Sequence, residues 1–371
     1  MLTYKAYKYR IYPNHEQQIQ INKTIGCCRF VFNHYLAKRK ETYEANKITL
    51  NYNACSADLT QLKKELIWLK EAESTALQSS LKDLDDAYSR FFKKQNDFPK
   101  FKSKRTASHS YTTKKTKGNI EIVGNQIKLP KIGLVKFAKS KEVEGRILSV
   151  IIRRNPSGRY FVSVLVEKEI NYLPVSNSHI GIDVGTTYFA ITSEGEFHDN
   201  PRFLRKNEKQ LAKFQQSLSR KQEKAKKDIR KLADSKNYQK NKLKVAKLHE
   251  HITNCRNDFL QKLTTKLIRE NQTISIEDLQ VSNMIKNHKL AKSIADASWA
   301  KFRTMLEYKA EWYGRIIIVV DPKYTSQTCN SCGHISKENR KTQADFACIH
   351  CDHTDNADVN AAKNINSKKI T

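Results

Sequence analysis

Cys329, Cys332, Cys348 and Cys351 stand as two Cys-x2-Cys pairs separated by fifteen residues. This is the spacing of a zinc ribbon, and the two pairs must be brought together in space to share one ion. Four thiolates complete a tetrahedral site and leave no open position, so the expected Zn²⁺ is structural rather than catalytic. His334, His350 and His353 lie close by and are read as bystanders.

The cysteines sit between carboxylate motifs. Ahead of them come Gly181-Ile182-Asp183-Val184-Gly185-Thr186-Thr187 and Ser275-Ile276-Glu277-Asp278-Leu279; behind them comes Asp358-Val359-Asn360-Ala361-Ala362-Lys363-Asn364-Ile365. The first two motifs set a carboxylate in or at the end of an apolar strand-like run. The third sets one at the start of a short helix spanning 358–366. Carboxylates suit Mg²⁺, a hard ion that takes oxygen ligands and keeps several waters. Two such ions about 4 Å apart serve an in-line displacement at phosphorus. Asp183, Glu277 and Asp358 are therefore the candidate ligands of two Mg²⁺ ions, with Asp183 bridging. Asp278 competes with Glu277, since alternation sends these neighbours to opposite faces. Asp355 competes with Asp358, which could also be a plain helix cap. The Asp-x-Gly-Thr string alone also suits the phosphate loop of actin-like ATPases and sugar kinases. Those need a second such segment and a glycine-rich adenosine site, and neither is found among the 11 glycines of this chain. No Ser-His-Asp or Cys-His arrangement competes.

The charge points to a polyanionic partner. There are 68 Lys plus Arg against 38 Asp plus Glu, a net charge of +30 spread along most of the chain. Between residues 202 and 250 stand 17 Lys/Arg and 5 Asp/Glu. That stretch, continued to 270, reads as a long helical hairpin with an apolar stripe and a basic face, its turn near Asp234–Asn241. Pro99-Lys100-Phe101-Lys102-Ser103-Lys104-Arg105 sets an aromatic among cations, which suits a nucleic-acid surface. No apolar run is long enough to span a membrane, and no leader is read at Met1-Leu2-Thr3-Tyr4-Lys5. A cytoplasmic, nucleoid-associated protein of a bacterium or archaeon is expected, and Cys27, Cys28, Cys55 and Cys255 are read as buried small apolar residues.

Residues 3–12 alternate like a strand and are broken by Pro13. Asn14 and Gln17 form a capping box, and helical spacing then runs through Ile21, Ile25, Phe32, Tyr35 and Leu36. A second helix is expected near 56–69. Leu77, Leu81, Leu84, Tyr88 and Phe91 mark a third. Beyond these, Ile120 to Leu129 with Gly124-Asn125, and Leu148 to Val166 around Asn155-Pro156-Ser157-Gly158, read as β-hairpins. A small β-barrel with a helical domain inserted in it follows. Ile180 to Ile191 is read as strand, turn, strand.

Together these residues resemble the TnpB family, transposon-encoded RNA-guided nucleases. The likeness extends to Tyr9-Arg10-Ile11-Tyr12-Pro13, Arg29-Phe30-Val31-Phe32-Asn33, Leu77-Gln78-Ser79-Ser80-Leu81, Leu129-Pro130-Lys131, Arg256-Asn257-Asp258-Phe259 and Glu307-Tyr308-Lys309-Ala310. It implies a multidomain α+β protein. A wedge β-barrel (1–13 and 96–172) would be interrupted by a helical recognition domain (14–95). A RuvC-like nuclease domain of RNase H fold (173–371) would follow, with a zinc ribbon (325–356) inserted in it. It implies a catalytic triad of Asp183, Glu277 and Asp358, and zinc on Cys329, Cys332, Cys348 and Cys351. It also implies binding of a guide RNA from the transposon end and cutting of double-stranded target DNA; a monomer is expected, since one site can cut two strands in turn, and no membrane partner is expected from the hydropathy. A short target-adjacent motif would be read by Tyr52, Ser56, Gln78 and Thr116. Many relatives carry Asp-Arg-Asp where this chain has Asn356-Ala357-Asp358; Arg340 or Arg303 is the candidate to replace the missing arginine. A cleavage-silent guided repressor and a DNA-joining transposase are the alternative readings.

Overall fold

The computed structural model describes residues 1–105 and 108–368. They form two compact units, one of Leu2–Glu169 and one from Ile170 onward with Met1.

In the first unit the alternation of residues 3–12 becomes strand β1 (Leu2–Tyr12), which turns Tyr7, Tyr9 and Ile11 inward. Pro13 ends it, and the predicted capping box starts helix α1 (His15–Asn46). Gln17 N donates to Asn14 Oδ1 (2.8 Å), and Asn14 N donates to Gln17 Oε1 (3.0 Å). Helices α2 (Tyr52–Glu65) and α3 (Ser74–Phe92) follow. The helix expected near 56–69 therefore starts earlier, because Asn51 caps it through Ala54 N, and it gives way to a 3-10 turn at Ile67–Glu71. Strands β2 (Ser110–Lys114), β3 (Glu121–Val123), β4 (Gln126–Leu129), β5 (Gly133–Phe137), β6 (Arg146–Arg154) and β7 (Tyr160–Glu169) complete the unit. Gly124-Asn125 makes the anticipated two-residue turn, with Val123 opposite Gln126.

These strands pair antiparallel in the order β2-β6-β7-β1-β5-β4-β3. Among the described residues β2 and β3 are not bonded to one another, so by backbone pairing the expected barrel is a sheet with two edges. The β2 edge is blunted by α3. Thr75 Oγ1 accepts from Lys114 N (3.1 Å), and Glu73, the α3 cap, accepts from Thr113 Oγ1 (2.7 Å). Helices and sheet share one apolar core, in which Tyr35, Leu36, Leu77, Leu81, Ile127 and Val164 are fully buried.

The second unit opens with β8 (His179–Val184), β9 (Tyr188–Thr192) and β10 (Phe197–Asp199). A helical hairpin, α4 (Phe203–Lys227) and α5 (Lys236–Glu270), leads to β11 (Thr273–Glu277). The short helices α6 (Val281–Met284) and α7 (Ala291–Ala297) precede α8 (Trp299–Tyr313) and β12 (Ile316–Val320). Last come β13 (Asp345–Ala347), β14 (Thr354–Asn356) and α9 (Ala357–Ser367). The sheet order is β10-β9-β8-β11-β12, with β8, β11 and β12 parallel and β9 and β10 antiparallel.

The hairpin turn falls at 228–235, earlier than expected. Ile229 adopts φ 52° and Arg230 N donates to Ala225 O (2.9 Å), a Schellman-type closure. That position normally takes glycine, so the sequence carried no stop signal there.

Candidate active site

Strand parity builds the site. Ile180 and Ile182 of β8, and Ile274 and Ile276 of β11, pack into the core with α5 and α8. Their neighbours Gly181, Asp183, Ser275 and Glu277 therefore face the other side of the sheet. Parallel pairing sets Ser275 beside Gly181 and Ile276 beside Ile182, which brings Glu277 level with Asp183.

Helix α9 covers that side. It fits because residue 181 has no side chain: a Cβ there would stand 2.1 Å from the Ala362 carbonyl oxygen and 2.7 Å from Asn366 N. Asn360 and Asn364, one turn apart, tie α9 to the loop before the cysteine lobe. Asn360 Nδ2 donates to Thr328 O (2.8 Å), and Asn364 Nδ2 donates to Thr325 O (2.9 Å) and Thr328 O (2.6 Å). Asn356 is the true cap of α9, accepting from Asp358 N (3.0 Å) and Val359 N (3.2 Å). The Asp358 carboxylate is left free of capping.

The three carboxylates share one electrostatic environment. Asp183 is pushed up to about 7 by burial first, then by Glu277 and Asp358, with Arg340 opposing. Glu277 is raised by burial while Thr325 Oγ1 donates to it (2.6 Å) and Lys368 opposes the rise. Arg340 donates to Asp358 Oδ1 (2.9 Å) and to Gln343 O (2.9 Å). Of the two candidate arginines, it is Arg340 that reaches Asp358. Arg303 is held by Asp278 and Glu307. The competitors go elsewhere: Asp278 turns to Arg303 on α8, and Asp355 takes Lys363 Nζ (2.7 Å). Thr325 is the contact that sequence reasoning missed. It lies in a loop with no periodic signal.

An excess of negative charge held half-buried at a strand end is a donor set for a hard divalent cation. The carboxylate oxygens are less tightly gathered than the thiols. Among the described residues only Cys329, Cys332, Cys348 and Cys351 place their ligand atoms mutually within 4.8 Å. The Sγ pairs 329–351 and 332–348 lie 3.7 and 3.6 Å apart. Tetrahedral Zn–S bonds of about 2.3 Å give S···S edges of about 3.8 Å. Two matching knuckles present them. Cys329 N donates to His334 O and Cys348 N to His353 O, with Gly333 and Asp352 at positive φ closing each turn. His334 and His350 stack on each other beside the thiols.

The residues expected to read a target motif lie in the first unit. Tyr52 opens α2, with Lys82 Nζ 6.0 Å above its ring, and Ser56 is one turn on. Gln78 is exposed on α3, one turn before Lys82. Thr116 is in the loop after β2, its N–H donating to Asn119 Oδ1 (2.8 Å). Among the described residues no hydrogen bond or ion pair joins the four.

Carboxylates converging beside a four-thiol lobe, on a strongly basic multidomain α+β chain, define an enzyme that acts on nucleic acid. Family models described as "Helix-turn-helix domain", "Probable transposase" and "Cas12f1-like, TNB domain" match residues 1–47, 161–288 and 299–365. Over 1–47 the structure has a strand and one continuous helix. The chain is 37% identical to a protein of Streptomyces pristinaespiralis described as "Putative RNA-guided DNA endonuclease", across 97% of this chain and 88% of the relative. It is 36% identical to "Putative RNA-guided DNA endonuclease InsQ" of Escherichia coli K12, across 98% and 92%. The chain belongs to the TnpB family. Its fold is similar to that in "Cryo-EM structure of the Cas12f1-sgRNA-target DNA complex", with a TM-score of 0.63 at 14% identity over 99% of each chain.

Proposed function

We propose that the protein is an RNA-guided DNA endonuclease. It binds guide RNA and double-stranded target DNA and hydrolyses phosphodiesters at Asp183, Glu277 and Asp358. The observation that carries this is the set of three carboxylates on one face of the β8/β11 sheet end, reinforced by relatives of that description over nearly the whole chain. The five-stranded order, three antiparallel strands continued by two parallel ones, supports an RNase H fold of RuvC type over 173–371. Residues 325–356 form its zinc ribbon. The first unit supplies the wedge (1–13, 96–172) and recognition (14–95) elements, and Tyr52, Ser56, Gln78 and Thr116 contact the target-adjacent motif.

Asp183, Glu277 and Asp358 would hold two Mg²⁺ ions, which supply Lewis-acid activation of water and of the leaving oxygen when bound. Thr325 orients Glu277 by donating to it. Arg340 orients Asp358 and places a cation beside the site where phosphate charge develops. The Cys329, Cys332, Cys348 and Cys351 thiolates would hold Zn²⁺ and fix the lobe that carries Arg340 against Asp358 of α9. Among the described residues no helix is long and apolar enough to cross a membrane.

The test is plasmid cleavage by protein co-expressed with the transposon-end transcript. Wild type is expected to cut at sites matching the guide in Mg²⁺. Asp183→Ala is expected to bind RNA and DNA within a few fold yet not cut. Cutting or joining that needs no RNA would favour the transposase reading instead.

A further inference from the structure

The loop from Asp321 to Thr328 joins the end of β12 to the cysteine lobe, and it contains a left-handed residue that is not glycine. Tyr324 sits at φ 63°. A side chain there crowds the following carbonyl, so the conformation persists only where surrounding contacts impose it. Burial does not compensate, because Tyr324 is 47% exposed.

The contacts that impose it come from α9. Asn364 Nδ2 donates to Thr325 O (2.9 Å) and Thr328 O (2.6 Å), on the far side of Tyr324. One turn on, Lys368 Nζ donates to Asp321 O (2.8 Å) and Lys323 O (3.0 Å), on the near side. The strained residue is thus clamped from both sides by neighbouring turns of one helix. Lys368 is the C-cap residue of α9, its N–H bonded to Asn364 O (3.2 Å). Among the described residues it forms no ion pair, and its ammonium is engaged by the two loop carbonyls.

The clamp acts on Glu277. Thr325 is buried, and its Oγ1 donates to Glu277 Oε1 (2.6 Å). The backbone at residue 324 sets the direction in which residue 325 leaves the turn, so a left-handed Tyr324 is what aims the hydroxyl inward. Helix α9 carries Asp358 in its first turn and Lys368 just past its last. One helix therefore sets two carboxylates that belong to different elements.

We propose that Lys368 is a positioning residue for metal binding: it latches the strained Tyr324 turn, so that Thr325 holds the Glu277 carboxylate ready for a divalent cation. The inference rests on the reading of Asp183, Glu277 and Asp358 as the metal-binding triad. Lys368 itself reaches the site only through the loop. Groups that orient a ligating side chain in this way are worth about 10- to 100-fold in metal affinity or activity.

The experiment measures Mn²⁺ binding to the full chain, purified without Mg²⁺, by electron paramagnetic resonance, beside single-turnover cleavage of guide-matched DNA. Lys368→Met keeps the stem and removes the donors. It is expected to weaken Mn²⁺ binding and slow cleavage by about tenfold each. The salt dependence of DNA binding is expected to stay as in wild type, since no phosphate contact is lost. Lys368→Arg, which keeps donors at that position, is expected to bind Mn²⁺ nearly as wild type does. Adding Tyr324→Asn to Lys368→Met is expected to restore most of the loss, because asparagine accepts the left-handed backbone and the turn then needs no latch. Should Lys368→Met not fold, recovery of both folding and Mn²⁺ binding in that double variant carries the test. Wild-type Mn²⁺ affinity in folded Lys368→Met would overturn the proposal, as would a loss that Tyr324→Asn leaves unrelieved. A salt slope lowered by about 0.9 in Lys368→Met would also overturn it, assigning the ammonium to a phosphate. Undiminished Mn²⁺ binding in Asp183→Ala would instead sink the triad reading, whatever Lys368→Met does.

Discussion

At the scale of single residues, the site is an electrostatic strain that something must relieve. Asp183 is raised from 3.8 to about 7 by burial and by two carboxylates. A raised carboxyl binds its proton more tightly folded than unfolded, so its stabilising contribution is full below about pH 4 and is lost as pH rises through about 7. Metal-free protein is therefore expected to melt lower at pH 8 than at pH 5. Asp183→Asn should gain on the order of 2 kcal/mol over wild type at pH 8 in chelator, and nothing at pH 4. Thermal melts across pH check this, and an Asn variant less stable at every pH would show Asp183 making structural bonds instead. Arg340 supplies a second case. Arg340→Ala removes the donor to Asp358 and is expected to slow cleavage about tenfold while nucleic-acid affinity stays within a few fold. Parallel single-turnover and binding assays separate the two. The placement of Asp183 and Glu277 at strand ends and of Asp358 at a helix start was legible in sequence, from parity and motif order; the partners of their neighbours were not, since Asp278 is taken by Arg303 of α8 and Asp355 by Lys363.

At the scale of elements, what positions the site is close approach. Helix α9 sits on β8 because Gly181 leaves room, and its Asn360 and Asn364 hold the loop that brings Thr325 to Glu277. Gly181→Ala puts a methyl against backbone that cannot move aside. It is expected to cost on the order of 3 kcal/mol in urea unfolding and to abolish cleavage even though no carboxylate is altered. Full stability in that variant would mean α9 can shift. Elements announced by local chemistry were readable: the Asn14 capping box, the Gly124-Asn125 turn, the alternation of β1. Those decided by tertiary contact were not. The end of α4 depends on an exposed Ile229 at positive φ, and the edge of β2 is blunted by Glu73 and Thr75 from a distant helix.

At the scale of the whole molecule, a net charge of +30 is a statement about what the chain is incomplete without. Repulsion of that size opposes compaction, and phosphates offset it. Nucleic-acid affinity is therefore expected to fall steeply with salt, each phosphate contact adding about 0.7 to 0.9 to the logarithmic slope. The α4–α5 hairpin is the sharpest place to test whether this charge is used or only solvated. Lys224, Lys226 and Lys227 crowd the last turn of α4, where they also complement its carbonyl end. Changing all three to Gln should lower the slope by about 2 if they meet phosphates, with affinity in low salt reduced by tenfold or more. Asp183→Ala, which alters the site but not this surface, should leave the slope where it was. A triple variant with an unchanged slope would show a hairpin that meets water, and the phosphate contacts would then have to come from elsewhere on the chain.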